Sequence, residues 1–208
     1  MLIKNLIKLK KNNQISKQIN TRLKEFSSLN KKNNNEWFSE LCFCILTANS
    51  KAKTAINIQN ELNADGFLKY SETKISNTIK KNKHRFHNNK AKYIIQARTF
   101  YNIKDILKQN KNSKEKRDFI VKNIKGLGYK EASHFLRNIG YFDLAILDRH
   151  VLGLLTEHSY LKEKPKSLNK KRYEEIELIL EKIAKQLKMS QAELDLYLWY
   201  MKTNEILK

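Results

Sequence analysis

Turn-forming residues are almost absent from this chain: one proline and five glycines serve 208 residues. A β-sandwich or barrel needs frequent reversals built on such residues, so their scarcity points to helices. The apolar period agrees. Between Asn169 and Leu187, Tyr173, Ile176, Leu180, Ile183, Ala184 and Leu187 recur at steps of three and four, which is one face of a helix. The same spacing predicts helices over about 14–29, 36–48, 52–63, 72–82, 90–101 and 103–109. A last helix opens on Ser190-Gln191-Ala192-Glu193, a capping box, with Leu194, Tyr197, Leu198 and Met201 as its stripe. No stretch alternates as a strand, so the fold class is all-α. Lysine- and asparagine-rich pieces at 30–35, 80–90 and 108–116 read as solvated connections.

Charge narrows the partner. The chain carries 42 Lys and Arg against 21 Asp and Glu, a net of +21. An AT-rich coding sequence would also enrich Lys, Asn and Ile, but it would spread the lysines evenly. Residues 80–130 instead hold 16 cations and only Asp105, Glu115 and Asp118, a net of +13, whereas residues 169–208 net +1. Such an asymmetry fits a polyanion, and nucleic acid more readily than a membrane surface.

No targeting or membrane-spanning segment is expected. The opening stretch Met1–Lys11 is amphipathic and broken by lysines, and the apolar run Leu41–Leu46 is far below the roughly 20 residues a spanning helix needs. Cys42 and Cys44 point to different sides of a helix and read as buried apolar residues in a reducing, cytoplasmic setting.

The segment 116–155 carries chemistry. A helix with Phe119, Ile120 and Ile124 leads into Lys125-Gly126-Leu127-Gly128, and a second helix runs from Tyr129 to Ile139 with Gly140 as its C′ residue. Two of the five glycines thus sit between two helices, the pattern of a helix-hairpin-helix over about 116–139. Gly126 and Gly128 would let the backbone lie against a sugar-phosphate strand, with the amides of the next helix pointing at the anion. Alone, such a turn is equally a plain tight reversal. Lys130 falls in the first turn of that helix, near its positive end and among other cations, which favours the neutral amine a nucleophile needs. Asp148 follows in Leu147-Asp148-Arg149-His150-Val151 and reads at least as an N-cap. The helix after Lys130 carries the chain roughly 14 Å away. Residues 140–147, if extended, reach up to roughly 26 Å, so the carboxylate can return to the amine.

The run Lys125–Leu155 resembles the helix-hairpin-helix, Gly/Pro-rich loop and aspartate superfamily of DNA glycosylases. In the form Gly-Leu-Gly-Tyr-Lys-Glu-Ala-Ser-His-Phe-Leu-Arg-Asn followed by Leu-Asp-Arg-His-Val it is similar to the type-2 8-oxoguanine DNA glycosylase/lyases. It departs in having Lys125 where many members have proline. The resemblance implies two helical lobes with a DNA-binding cleft between them: residues 34–140 as a central lobe, and 1–33 with 141–208 as a second lobe bearing the aspartate. It implies a bifunctional enzyme acting as a monomer on double-stranded DNA that contains a damaged base. Lys130 would be the Schiff-base nucleophile and Asp148 its partner. No cofactor would be required. A monovalent cation at the hairpin carbonyls is usual in the superfamily, and an iron–sulfur cluster held by four cysteines is out of reach with two.

Further positions carry over from the same resemblance. His150 matches a DNA contact, and Asn49 a residue inserted where the flipped base leaves the stack. Trp199 and Phe86 would stack on the base. Lys208 would read it, a carboxylate accepting from N7–H and the ammonium serving O8; residues added after Lys208 would then cut excision of 8-oxoguanine but spare abasic-site cleavage. The plainer reading for each is a helix-end, core or frayed residue. Two alternatives stay open: a glycosylase for an oxidised pyrimidine or alkylated base, and a non-catalytic helix-hairpin-helix module that would not need Lys130.

Overall fold

The computed structural model describes residues 1–208 as twelve α-helices, one 3₁₀ turn and no strand. In chain order the helices are α1 (Leu2–Lys10), α2 (Asn13–Asn30), α3 (Asn34–Thr47), α4 (Ala52–Lys69), α5 (Glu72–Lys81) and α6 (His87–Ala97). They continue as α7 (Ile103–Lys108), α8 (Ser113–Asn123), α9 (Tyr129–Asn138), α10 (Arg149–Glu157), α11 (Lys170–Leu187) and α12 (Gln191–Thr203). The chain is all-α, and α8 and α9 form the expected helix-hairpin-helix. No helix is long and apolar enough to cross a membrane.

Element boundaries depart from the periodicity where side chains cap. The helix expected to stop at 63 only breaks there: Asn63 adopts φ 49° and its side chain accepts from the amides of Asp65 and Gly66, starting a new segment that runs to Lys69. The expected 90–101 helix starts earlier, at His87, and tightens into a 3₁₀ turn at Arg98–Phe100.

The reading of 80–90 and 108–116 as wholly solvated is corrected. Lys90 and Lys116 are buried, and α8 begins at Ser113. The reason lies in how a glycine-poor chain ends its helices. Orphan carbonyls at a helix end need donors, and here cations supply them. Lys90 Nζ donates to the Ile45 carbonyl of α3 at 2.6 Å, Lys104 Nζ to Asn30 of α2 at 2.9 Å, and Lys10 Nζ to Leu187 of α11 at 2.9 Å. Arg98 Nε serves Phe67 of α4 at 2.8 Å. Only α9 closes on glycine: Gly140 sits at φ +92°, and the amides of Gly140 and Tyr141 reach back to Arg137 and Leu136 at 3.0 and 2.9 Å, a Schellman motif.

Buried apolar side chains form two clusters. One runs from Trp37 to Leu144 through α3 to α9; the other joins Leu2–Phe26 of α1 and α2 to Ala145–Leu198 of α10 to α12. The seam between them is polar. Two buried ion pairs cross it, Arg117 of α8 with Glu177 of α11 (2.6 Å) and Arg137 of α9 with Asp195 of α12 (2.5 Å), and a third, half-buried pair joins Glu40 of α3 to Lys208 (2.8 Å). Desolvated pairs add little net stability but are costly to break one-sidedly, so they fix how two surfaces register.

Candidate active site

The hairpin turn is where Gly126 and Gly128 part ways. Gly126 has φ +90°, and a Cβ there would stand 2.6 Å from the Tyr93 ring, so glycine is demanded twice over. Gly128 has φ −96° and an exposed backbone; its Cβ would meet nothing closer than the Glu131 carboxylate at 3.5 Å. Nothing within the protein requires glycine at 128. As N-cap of α9, Gly128 offers no side-chain acceptor, so the first-turn amides remain open to an external anion.

Lys130 follows in that first turn. Its side chain is 30% exposed and donates to Glu131 Oε1 at 3.4 Å. Lys90 lies close by: burial pulls its amine down to about 8, with the Glu131 carboxylate opposing and the Lys130 charge adding. Burial likewise holds His134, one turn on, neutral, with Arg137 and Lys130 contributing, and His134 Nε2 is buried without a partner.

The rest of α9 brings Asp148 back. Ala132, Phe135, Leu136 and Ile139 face the first apolar cluster. Ser133 faces a buried network instead. Arg117 Nη1 donates to Ser133 Oγ at 3.2 Å, and Tyr173 Oη lies 3.3 Å from the same oxygen. Tyr173 Oη also donates to the Ala145 carbonyl at 2.8 Å and accepts from the Leu147 amide at 3.3 Å, while Glu177 Oε1 accepts from the Ala145 amide at 2.9 Å. The returning segment 145–147 is thereby pinned one turn from Lys130, and Asp148 comes next. Asp148 Oδ1 accepts from the amides of His150 and Val151, both at 2.8 Å, capping α10, and no protein donor takes its other oxygen. Lys130 and Asp148 share a neighbour, Asp195, whose carboxyl burial pushes up to about 6; Arg137 opposes that shift and Asp148 reinforces it.

The other expected residues sit at helix ends and on α12. Asn49 is exposed in the left-handed region (φ 62°) just past α3. Phe86 precedes α6 with the Arg85 guanidinium 4.5 Å over its ring. His84 ties the two regions together: its Nδ1 accepts from the Phe86 amide at 3.1 Å, so Nε2 carries the proton and donates to the Leu46 carbonyl of α3 at 2.9 Å. His150 stands edge-on to Trp199, ring centroids 5.2 Å apart, and the Trp199 indole nitrogen is buried without a partner.

Lys208, expected to offer its ammonium to O8, holds it against the protein: it donates to Glu40 Oε2 at 2.8 Å and to Gln59 Oε1, and lies 4.3 Å from the Phe43 ring centroid. A cavity of about 520 Å³ between α2, α3 and α4 borders Glu40, Gln59 and Lys208 but is lined by neither Lys130 nor Asp148. No group of three or more His, Cys, Asp or Glu is assembled for a metal, and Cys42 and Cys44 are fully buried.

Sequence reasoning missed Arg117, Ser133, Arg137, Tyr173, Glu177 and Asp195. Ser133 and Arg137 follow Lys130 at helical spacing, and that was the one available signal. A polar stripe ordinarily faces water, so only tertiary structure reveals its burial.

A family model described as 8-oxoguanine DNA glycosylase matches residues 19–189. An 8-oxoguanine DNA glycosylase/AP lyase of Methanocaldococcus jannaschii is 50% identical over 208 residues, all of both chains. A crystal structure of the M. jannaschii 8-oxoguanine glycosylase/lyase, in complex with a 15mer DNA containing 8-oxoguanine, superposes with TM-score 0.97, covering 100% of each chain. The 8-oxoguanine DNA glycosylase of Thermotoga maritima, 37% identical, superposes at 0.93 over 100% of this chain and 98% of its own.

Proposed function

The chain belongs to the 8-oxoguanine DNA glycosylase family, and from that premise we propose that it excises 8-oxoguanine from duplex DNA and then nicks the strand, with Lys130 as nucleophile and Asp148 as its partner. It acts as a monomer inside the cell, on the chromosome. What supports this reading is the linkage from α9, which carries Lys130, through Tyr173 to Leu147, next to a carboxylate with one uncommitted oxygen.

The amides of α9 and the exposed backbone at Gly128 hold a phosphate next to the lesion, with the positive helix end favouring the anion. The damaged nucleotide turns out of the stack, at roughly a few kcal/mol. Asn49 fills the gap it leaves, His150 holds the backbone, and Trp199, Phe86 and Lys208 receive the base. The Lys130 nitrogen attacks C1′; the glycosidic bond breaks and its electron pair leaves with the base. Asp148, through its free oxygen, stabilises the cationic sugar and takes the proton from the amine. Opening of the C1′–O4′ bond gives a protonated imine. Loss of a C2′ proton then expels the 3′-phosphate, and hydrolysis of the imine returns the lysine.

An amine and a carboxylate suffice for these steps, so no cofactor takes part. At the hairpin the donors are neutral carbonyls such as that of Ile124, which accepts only a 3.4 Å contact from Leu127. Such donors suit a monovalent cation, and that ion would help hold the phosphate.

Borohydride trapping on duplex DNA containing 8-oxoguanine tests the proposal. The wild-type chain should give a covalent adduct and Lys130→Ala none. Adduct formation without Lys130 would remove the lysine from the mechanism.

A further inference from the structure

The Lys208 ammonium is held inside the molecule by side chains of α3 and α4. Lysine has three donors. Here two go to Glu40 Oε2 (2.8 Å) and Gln59 Oε1, and the Phe43 ring faces the charge at 4.3 Å. Glu40 is itself 3% exposed and has no other cationic partner; Asn138 Nδ2 donates to its Oε1 at 2.6 Å and Gln59 Nε2 to its Oε2 at 3.2 Å. Asn138 Oδ1 in turn accepts from Arg137, which pairs with Asp195. The chain of contacts runs from α12 across α9 to α3 and ends on Lys208.

We propose that Glu40, assisted by Gln59, is a specificity-determining positioning residue: it seizes the Lys208 ammonium and so holds the Lys208 main chain beside His134 on α9, where a main-chain oxygen can accept a hydrogen bond from the extruded base. This rests on the role given to Lys208 above. It reassigns the side chain from reader to anchor. The chemistry discriminates in the needed direction, because 8-oxoguanine carries a hydrogen on N7 whereas guanine presents a lone pair there, which an oxygen repels. The Lys208 carbonyl neighbours the His134 imidazole, consistent with that main-chain placement.

The buried carboxylate has a further consequence. Without the ammonium, Glu40 would be a desolvated charge lacking a counterion, a situation worth a large penalty. The last residues are thus drawn onto α3 by the same pair that positions them.

The test is a double-mutant cycle on Glu40→Gln and Lys208→Met, read on two substrates: duplex DNA with 8-oxoguanine and duplex DNA with a preformed abasic site. Glu40→Gln should lower base excision about tenfold or more, as expected for one-sided loss of a desolvated charge pair. Abasic-site cleavage, which has no base to read, should stay within about twofold. Glu40→Gln should add nothing once Lys208 is Met, since one residue acts through the other. Gln59→Leu, which keeps the carboxylate, should show the same selective loss in weaker form and serves if Glu40→Gln does not fold. Unchanged excision, a proportional loss on both substrates, or additive effects in the cycle would each overturn the clamp while leaving the proposed activity standing. A wild-type chain that fails to excise 8-oxoguanine overturns that activity and the clamp with it.

Discussion

At the scale of single residues, the two hairpin glycines separate folding from binding. Gly126 is held by its own fold, through a positive φ and the Tyr93 ring; Gly128 has neither constraint. Gly126→Ala should therefore cost about 2 kcal/mol or more in stability, from left-handed strain plus displacement of Tyr93. Gly128→Ala should melt like wild type yet bind duplex DNA more weakly, because its methyl would make only an ordinary contact with Glu131 inside the protein but would stand in the way of an incoming strand. Thermal unfolding and a DNA titration distinguish them, and equal melting losses would refute the division. Asp148 makes a related point. One oxygen holds the start of α10 and the other is left over, so capping and chemistry coexist in one side chain.

Among elements, two side chains settle how neighbouring helices meet at the site. Tyr173 on α11 joins α9 to the segment before Asp148 through hydrogen bonds of its hydroxyl, while its ring packs 5.5 Å from that of Tyr129. Tyr173→Phe keeps the ring but leaves the Leu147 amide and Ala145 carbonyl short of a partner, a loss of about 1–3 kcal/mol. We expect kcat for excision to fall while the Kd for DNA stays put, as when a catalytic group is misplaced; a drop in DNA affinity instead would point to a distorted hairpin. His84 does the same for α3 and α6, and only as the neutral tautomer. Burial depresses its pKa, helped by the Lys90, His87 and Arg85 charges and opposed by the Leu46 carbonyl. A depressed histidine pKa means the unfolded chain takes the proton first. The stability His84 contributes is thus present above the ordinary histidine pKa of roughly 6.5 and lost as pH falls through the depressed value. The difference in unfolding free energy between wild type and His84→Gln should shrink from pH 8 to pH 5; a flat difference would show that His84 does not titrate in this window. Taking the difference removes Asp195, whose raised carboxyl acts with the opposite sign in the acid range.

For the whole molecule, charge is divided between two uses. Part of the basic excess turns inward to close helices and cross the seam, as Lys90, Lys116 and Arg117 do, while Lys80, Lys81, Lys83, Arg85, Lys92, Lys122 and Lys125 remain exposed. Only the second group can meet phosphate. Affinity for DNA should fall steeply with salt, with a log–log slope of about −0.9 per phosphate contacted. Lys125→Gln, at the hairpin, should make that slope shallower by about one contact; Lys182→Gln, exposed on α11 in the nearly neutral carboxyl-terminal quarter, should not. Identical slopes for the two variants would mean that the basic segment is not the DNA face.

The helical class, the hairpin, Gly140 as a helix stop and Asp148 as an N-cap were legible because each rests on local rules: period, capping and backbone freedom act within a few residues of the chain; the roles of Lys130 and Asp148 came from the resemblance to the glycosylases. The seam was not legible. Arg117, Arg137, Glu177, Asp195 and Glu40 look like any surface charge in sequence, and so does Lys208, because burial is a property of what arrives from elsewhere in the chain. Pairing across long separations decides whether a charge is solvated or satisfied, and only tertiary structure fixes which pairs form. By itself the sequence determined which elements exist and which chemistry they carry; packing decided which carboxylate stands near which amine, and which lysines are left for DNA.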